Sequence, residues 1–265
     1  MASLPMYDWP ELQSATDNLW TRLQEALQER GFDAPVSLNR NSSVLTQWRS
    51  DKLLLSQTCG YPLMSCLKGA VTVIGTPHYF ADGCEGPNYC SHLVVRKDSE
   101  LMTPACLAGR RAAINDRASL SGHSAFCTMI APLAAGRPYF SSVIESGSHR
   151  RSIEFVASGQ VDAACIDAVC WQHALNFLPE VTALLIPIAS SPNMPGLPFI
   201  TARARTPAET ELIQDAVDTV LNAASSRDVC RRLLICGFSR TDETDYHPVT
   251  AMHEGVIARG YGQLY

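Results

Sequence analysis

Lysine is nearly missing from this 265-residue chain. Only Lys52, Lys68 and Lys97 contribute to its 21 basic residues, and 26 acidic ones leave a net charge of -5. Apart from three Arg-Arg pairs the arginines are scattered, so no basic face is available to a polyanion and nucleic acid is excluded as a partner. No apolar run approaches the ~20 residues that span a bilayer, which argues against membrane insertion. The first residues, Met1 to Pro10, carry no basic stretch followed by an apolar one, so no leader is visible in the sequence as it stands. Walker, Gly-x-Ser-x-Gly and dinucleotide fingerprints are missing too. His78, His92, His173, His247 and His253 have no partners at metal-ligand spacing, and no cofactor is implied.

Cysteine, by contrast, is plentiful. Ten residues form no C-x-x-C pair, and Cys127, Cys165, Cys170 and Cys236 lie in apolar runs as small hydrophobes. With no leader, this favours free thiols and a cytoplasmic location; a periplasmic one follows if a leader was removed. A Cys84–Cys90 disulfide across the intervening Gly-Pro loop stays open as an alternative.

Short apolar strands alternate with helical segments along most of the chain. Ser14 and Asp17 resemble a capping box before a helix whose face is Leu19, Trp20, Leu23 and Leu27, closed by Gly31. Strands are expected over 52–57, 71–75 and 92–96, then over 112–115, 140–145, 161–166 and 183–188. Helices are expected from Ser121, Ser148 and Asp167. The remainder reads as helices over 206–223 and 226–236 and a last one after Pro248. Continuous apolar strands alternating with helices indicate α/β architecture with mostly parallel sheets flanked by helices. Two such lobes are expected: residues 1–93 with 190–265, including the C-terminal helices, and residues 94–189. Hinge crossovers are expected near 92–97 and 187–192.

The most informative segment is Ile114-Asn115-Asp116-Arg117-Ala118-Ser119-Leu120-Ser121-Gly122-His123-Ser124. A buried strand ends there in a hydroxyl-rich turn that opens into a helix. Unpartnered amides and roughly half a positive charge at a helix start make a prepared anion site. A serine in that position is also an ordinary N-cap, as is Asp167 before the helix carrying Trp171.

Three stretches together resemble the phosphate, phosphite and phosphonate substrate-binding proteins of ABC transporters, which share the type II periplasmic-binding-protein fold. They are 115–124, the pair Glu145-Ser146-Gly147-Ser148-His149 and Phe155 to Asp167, and Ser56-Gln57-Thr58-Cys59-Gly60-Tyr61-Pro62. The resemblance covers most of residues 2–200. It implies a small anionic or zwitterionic ligand clamped in an interlobe cleft, with an ABC transporter permease as partner. Ser119, Ser121, Gly122 and His123 would hold an anionic head group, and His149 would donate to the same oxyanion. Asp167 would meet an amino group, while Tyr7, Tyr61 and Tyr79 would close from the first lobe. Leu120 and His123 stand where the family has smaller polar residues.

Two other readings use the same scaffold. One is a cytoplasmic enzyme similar to those of menaquinone or thiamine pathways, with His149, Asp167 or Cys59 as acid, base or nucleophile. The other is a detached effector-sensing domain, against which stands the lack of a preceding DNA-binding helix pair.

Overall fold

The computed structural model describes residues 1–262 and 264. It contains two compact α/β units. The first is Met1–Phe80, Glu85–Asn88 and Pro195–His247; the second is Ala81–Cys84, Tyr89–Met194 and Pro248–Tyr265. The chain therefore passes between units at 88–89, 194–195 and 247–248, besides the short excursion at 81–84. The segments expected as crossovers, 92–97 and 187–192, instead supply paired strands inside the second unit, where Leu93 lies opposite Ala189.

In the first unit the sheet order is Ser56–Gln57, Phe199–Ala202, Val71–Tyr79, Ile235–Ser239, every pair antiparallel. This departs from the mostly parallel sheet expected there. Two strands come from beyond residue 198, where only helices are expected, over 206–223, 226–236 and after Pro248. The segment 226–236 is a helix only over Arg227–Arg232; Leu234 turns left-handed at φ 60°, and Ile235–Ser239 continues as a strand. Leucine rarely adopts that conformation, so local pattern gave no warning of the break. The helix Gln13–Glu29 buries Leu19, Trp20, Leu23 and Leu27 as expected. It begins after the short turn Pro10–Leu12, with no side-chain cap, so Ser14 lies inside it. Helix Pro207–Asn222 has a full capping box of Thr206 and Glu209 and packs Ile213, Ala216 and Val217 into the core.

The second unit contains a five-stranded mixed sheet ordered Ser142–Glu145, Arg111–Ile114, Ala163–Asp167, Ser91–Arg96, Leu185–Ser190. The first three are parallel, and the last two run antiparallel to their neighbours. Ala112, Ala113, Ala163 and Ala164 are all buried, small enough for both faces to be covered closely. Pro187 sits on an edge strand, where a missing amide donor is tolerated. The last helix, His247–Ala258, falls almost wholly in this unit, whereas residues 190–265 were expected in the first lobe.

All ten cysteines are free thiols. The Cys90 sulfur fills the space left by the missing side chain of Gly83, where a Cβ would stand 2.3 Å away. Cys90 therefore packs inward and forms no bridge to Cys84. Among the described residues no helix is long and apolar enough to cross a membrane.

Candidate functional site

Three parallel strands of the second unit end on one edge of its sheet, at Ile114, Glu145 and Asp167. A helix start follows each. Ligands of open α/β sheets collect at such carboxyl edges.

After Ile114 the chain makes a wide turn, Leu120–Ser124, before the α-helix Ala125–Ala134. The amide of Ser124 donates back to the Ser119 carbonyl, five residues away, at 3.1 Å. Such π-type turns within helices recur at functional sites. The helix thus starts four residues later than expected, and Ser119, not Ser121, is the cap: its Oγ accepts from the Gly122 amide at 3.0 Å. This leaves the Ser121 hydroxyl available. It lies 2.8 Å from Nε2 of His149, the first residue of helix His149–Ala157, and 3.4 Å from the Ser119 hydroxyl. Ser121 and His149 are both buried, 4% and 9% exposed.

The loop before His149 is held to the same strand end. Amides of Ser146 and Gly147 donate to the carbonyls of Ile114 and Asn115 at 2.8 and 2.9 Å. The Ser146 hydroxyl donates to the Ile114 carbonyl and contacts the Ser152 hydroxyl at 2.7 Å. Gly147, at φ 88°, makes the left-handed turn that glycine adopts without steric cost. Ser148 caps the helix by accepting from the Arg151 amide.

Gly122 is required for space. A Cβ there would stand 1.8 Å from Asn115 Oδ1 and 3.2 Å from His149 Cε1. Asn115 and His149 both therefore stand close against the glycine backbone. Asn115 Oδ1 and His149 Nδ1 are both buried without a geometrically sound hydrogen-bond partner. Burial pushes the His149 pKa down to about 4, opposed weakly by the Cys165 backbone acceptor, so the ring is neutral at pH 7. Asn115 was not singled out as a site residue, although its place directly after a strand and before the serine turn was a signal.

His123 points into a different neighbourhood. Its Nε2 lies 3.7 Å from the Cys127 thiol one turn on. Burial, then the charges of Arg117 and His253, hold it down to about 4 against the opposing charge of Asp116. Asp167 is 1% exposed and caps helix Ala168–Phe177, its Oδ1 accepting from Val169 and Cys170 amides at 2.8 and 3.1 Å. The N-cap reading of Asp167 thus holds in this structure.

The remaining site residues lie in the first unit. Tyr7, left-handed at φ 61°, meets Tyr79 edge-to-face with ring centroids 5.1 Å apart. Gln57 Nε2 donates to the Tyr79 hydroxyl and to the Leu197 carbonyl, both at 3.0 Å. Tyr61 stands apart from these bonds on the short helix Gly60–Met64, behind half-buried Cys59.

The family model of the periplasmic substrate-binding protein of phosphonate ABC transporters matches residues 1–246, and the chain belongs to that family. Its role is solute binding, with a small ligand and a transporter as the partners the family implies. Similar solved structures include the binding-protein component of a Pseudomonas aeruginosa ABC phosphonate transporter (18% identity, 97% of this chain and 86% of that one, TM-score 0.78). PhnD1 from Prochlorococcus marinus in complex with methylphosphonate is also similar (18%, 97% of each chain, TM-score 0.75). So is a Xanthomonas citri protein bound to ATP (13%, 97% and 96%, TM-score 0.72). At these identities the likeness establishes the periplasmic-binding-protein fold. A comparison with curated proteins returns no match.

Proposed function

We propose that the second unit binds the oxyanion head group of a small phosphonate- or phosphate-like ligand. The observation that carries this reading is the 2.8 Å bond between Ser121 Oγ and His149 Nε2, which joins two helix starts at one sheet edge. The positive ends of the helices, the serine hydroxyls and a neutral imidazole together form a set of groups suited to tetrahedral oxygens. Asp167, one carboxylate oxygen of which holds the helix cap, is assigned to a cationic group on the same ligand where it carries one. His123 and Gly122 are assigned to the framework of this site. Tyr7, Tyr61 and Tyr79 are assigned to the ligand on the strength of the family resemblance.

Calorimetric titration with methylphosphonate and inorganic phosphate tests the reading. Ser121→Ala and His149→Ala should each weaken binding by about 1–3 kcal/mol, the range for hydrogen bonds to charged groups, with thermal unfolding little changed. Wild-type affinity in both variants would refute the assignment.

We infer that the working partner is an ABC transporter permease, testable by ligand-dependent stimulation of a reconstituted transporter. Ten free thiols suit a reducing compartment, to which we assign this member of a family described as periplasmic. Recovery from cells in an osmotic-shock fraction, with thiols blocked to alkylation, would reverse that assignment.

A further inference from the structure

The Ser121–His149 site offsets only part of one negative charge. Three helices of nine or ten residues begin at its sheet edge, after Ser124, Ser148 and Asp167. Each start supplies roughly half a positive charge, about 1.5 together. Ionised, as the two amide bonds it accepts favour, the Asp167 carboxylate caps the third and takes away one. What remains is about half a positive charge, enough to sit beside a monoanion and far short of a dianion.

Side-chain cations do not make up the difference. Arg117 lies 3.6 Å from Glu145 and Arg150 lies 3.5 Å from Glu154. Arg151 sits over the Phe155 ring, 5.5 Å from its centroid. The elements that carry the cluster and those packed on the His149 helix bear Asp116, Arg117 and His123 on the serine turn, Glu145 on the edge strand, Arg111, His92 and Arg96 on other strands, and Cys170, His173 and Glu180 on neighbouring helices. Arg150, Arg151 and Glu154 are on its own helix, and Cys165 and Asp167 are on the central strand. The charge of none of them registers on His149, whose ionisation is governed by burial and the Cys165 backbone.

Resting on the oxyanion-binding reading above, we propose that this pocket selects its ligand by proton count. It accepts a singly charged tetrahedral oxyanion. It accepts a doubly charged one only together with one proton, taken from the buffer and held between a ligand oxygen and the Ser121–His149 pair. The geometry supplies the receiving group: a nine-tenths-buried imidazole beside Gly122, with one nitrogen 2.8 Å from Ser121 and the other without a hydrogen bond of sound geometry. Because burial holds that imidazole neutral at pH 7, it has room for a proton once an anion lies beside it.

The test is calorimetry with methylphosphonate from pH 6 to 9.5, in two buffers of contrasting ionisation enthalpy. Above the second pKa of the ligand, uptake should approach one proton per ligand and Kd should rise about tenfold per pH unit. Inorganic phosphate, with its lower second pKa, should move the break by the same interval. Asp167→Asn keeps an oxygen for the Val169 and Cys170 amides while removing the charge, so uptake should fall and the slope flatten. A flat Kd without proton uptake overturns the proposal while leaving oxyanion binding standing. A break at one pH for both ligands, or an unchanged slope in Asp167→Asn, also overturns it. If neither anion binds at any pH, the oxyanion reading fails and the proposal fails with it.

Discussion

The two units assemble their polar groups by opposite routes. In the second unit the whole cluster comes from Asn115 to Asp167, each piece a strand end followed by its own helix start. In the first unit Gln57 reaches Leu197, 140 residues away, and Tyr79 meets Tyr7 across the unit. The second cluster is built from local motifs closed by one side-chain bond, while the first exists only after long-range packing. The difference carries over to chemistry. The second unit buries titratable imidazoles, and the first offers aromatic edges and an amide.

Acid should expose the contrast most strongly. His123, His149 and His173, all in the second unit, are held down to about 4 by burial, against an ordinary value of 6.5. Their folded-state pKa values lie below the unfolded ones, so unfolding takes up protons between pH 6.5 and 4. Stability of the second unit therefore falls as pH drops through that window. Each group should cost roughly 1–3 kcal/mol, the upper end being the full shift. In the first unit, burial lowers only His78 among the histidines with a resolved shift. Carboxylates held low by their partners, such as Asp162, Glu209 and Asp242, act in a lower window. Their contributions are present above the usual carboxylate range and are lost as pH falls through their depressed values. Hydrogen exchange at pH 4.5 should show the second unit opening before the first. Equal protection in both units would break the comparison.

Next in size is Gly122→Ala. The new methyl would meet Asn115 Oδ1 at 1.8 Å and His149 Cε1 at 3.2 Å, so the turn must move. Overpacking of this kind costs about 1–3 kcal/mol. The melting temperature should fall, and oxyanion affinity should fall by more than the loss of about 1–3 kcal/mol expected of Ser121→Ala. A variant with wild-type stability and binding would show that the turn has slack. Gly31→Ala makes a useful control, since a Cβ there meets nothing within 4 Å and its cost is confined to its left-handed φ of 86°.

Much of the second unit was legible because its evidence is local. Alanine-rich buried strands, hydroxyl-bearing turns and helix starts follow each other in sequence, so the turn at Ser119, Ser121 and Gly122 could be read locally, while His149 entered only with the family resemblance. The wide turn at Leu120–Ser124 was not legible: a five-residue spacing of backbone bonds leaves no trace in side-chain periodicity. It decides which serine is the cap and which is available. In the first unit, antiparallel pairing of Val71–Tyr79 with Ile235–Ser239 joins segments about 160 residues apart, and the hydrophobic pattern of either one fits a helix or a strand. Leu234, forced left-handed, hid the break between helix and strand. Assigning Cys84 and Cys90 was undecidable from spacing, because inward packing over Gly83 is a contact between side chain and backbone.

The smallest expected effect is also the sharpest probe of the first unit. Tyr79→Phe removes the hydroxyl that accepts from Gln57 Nε2 but leaves the aromatic edge against Tyr7. Gln57, only 3% exposed, keeps its bond to the Leu197 carbonyl. One neutral hydrogen bond with its donor still partnered is worth about 0.5–1.5 kcal/mol, so thermal stability should fall slightly. Ligand affinity separates the two roles for this tyrosine. If the hydroxyl serves only Gln57, methylphosphonate binding stays at wild-type level, and Gln57→Leu, which also gives up the Leu197 bond, costs more stability. If it also reaches the ligand, affinity falls in Tyr79→Phe by more than in Gln57→Leu, and the aromatic cluster joins the binding surface. Because the hydroxyl is removed without disturbing the ring, the outcome turns on chemistry at one oxygen and not on repacking of the unit.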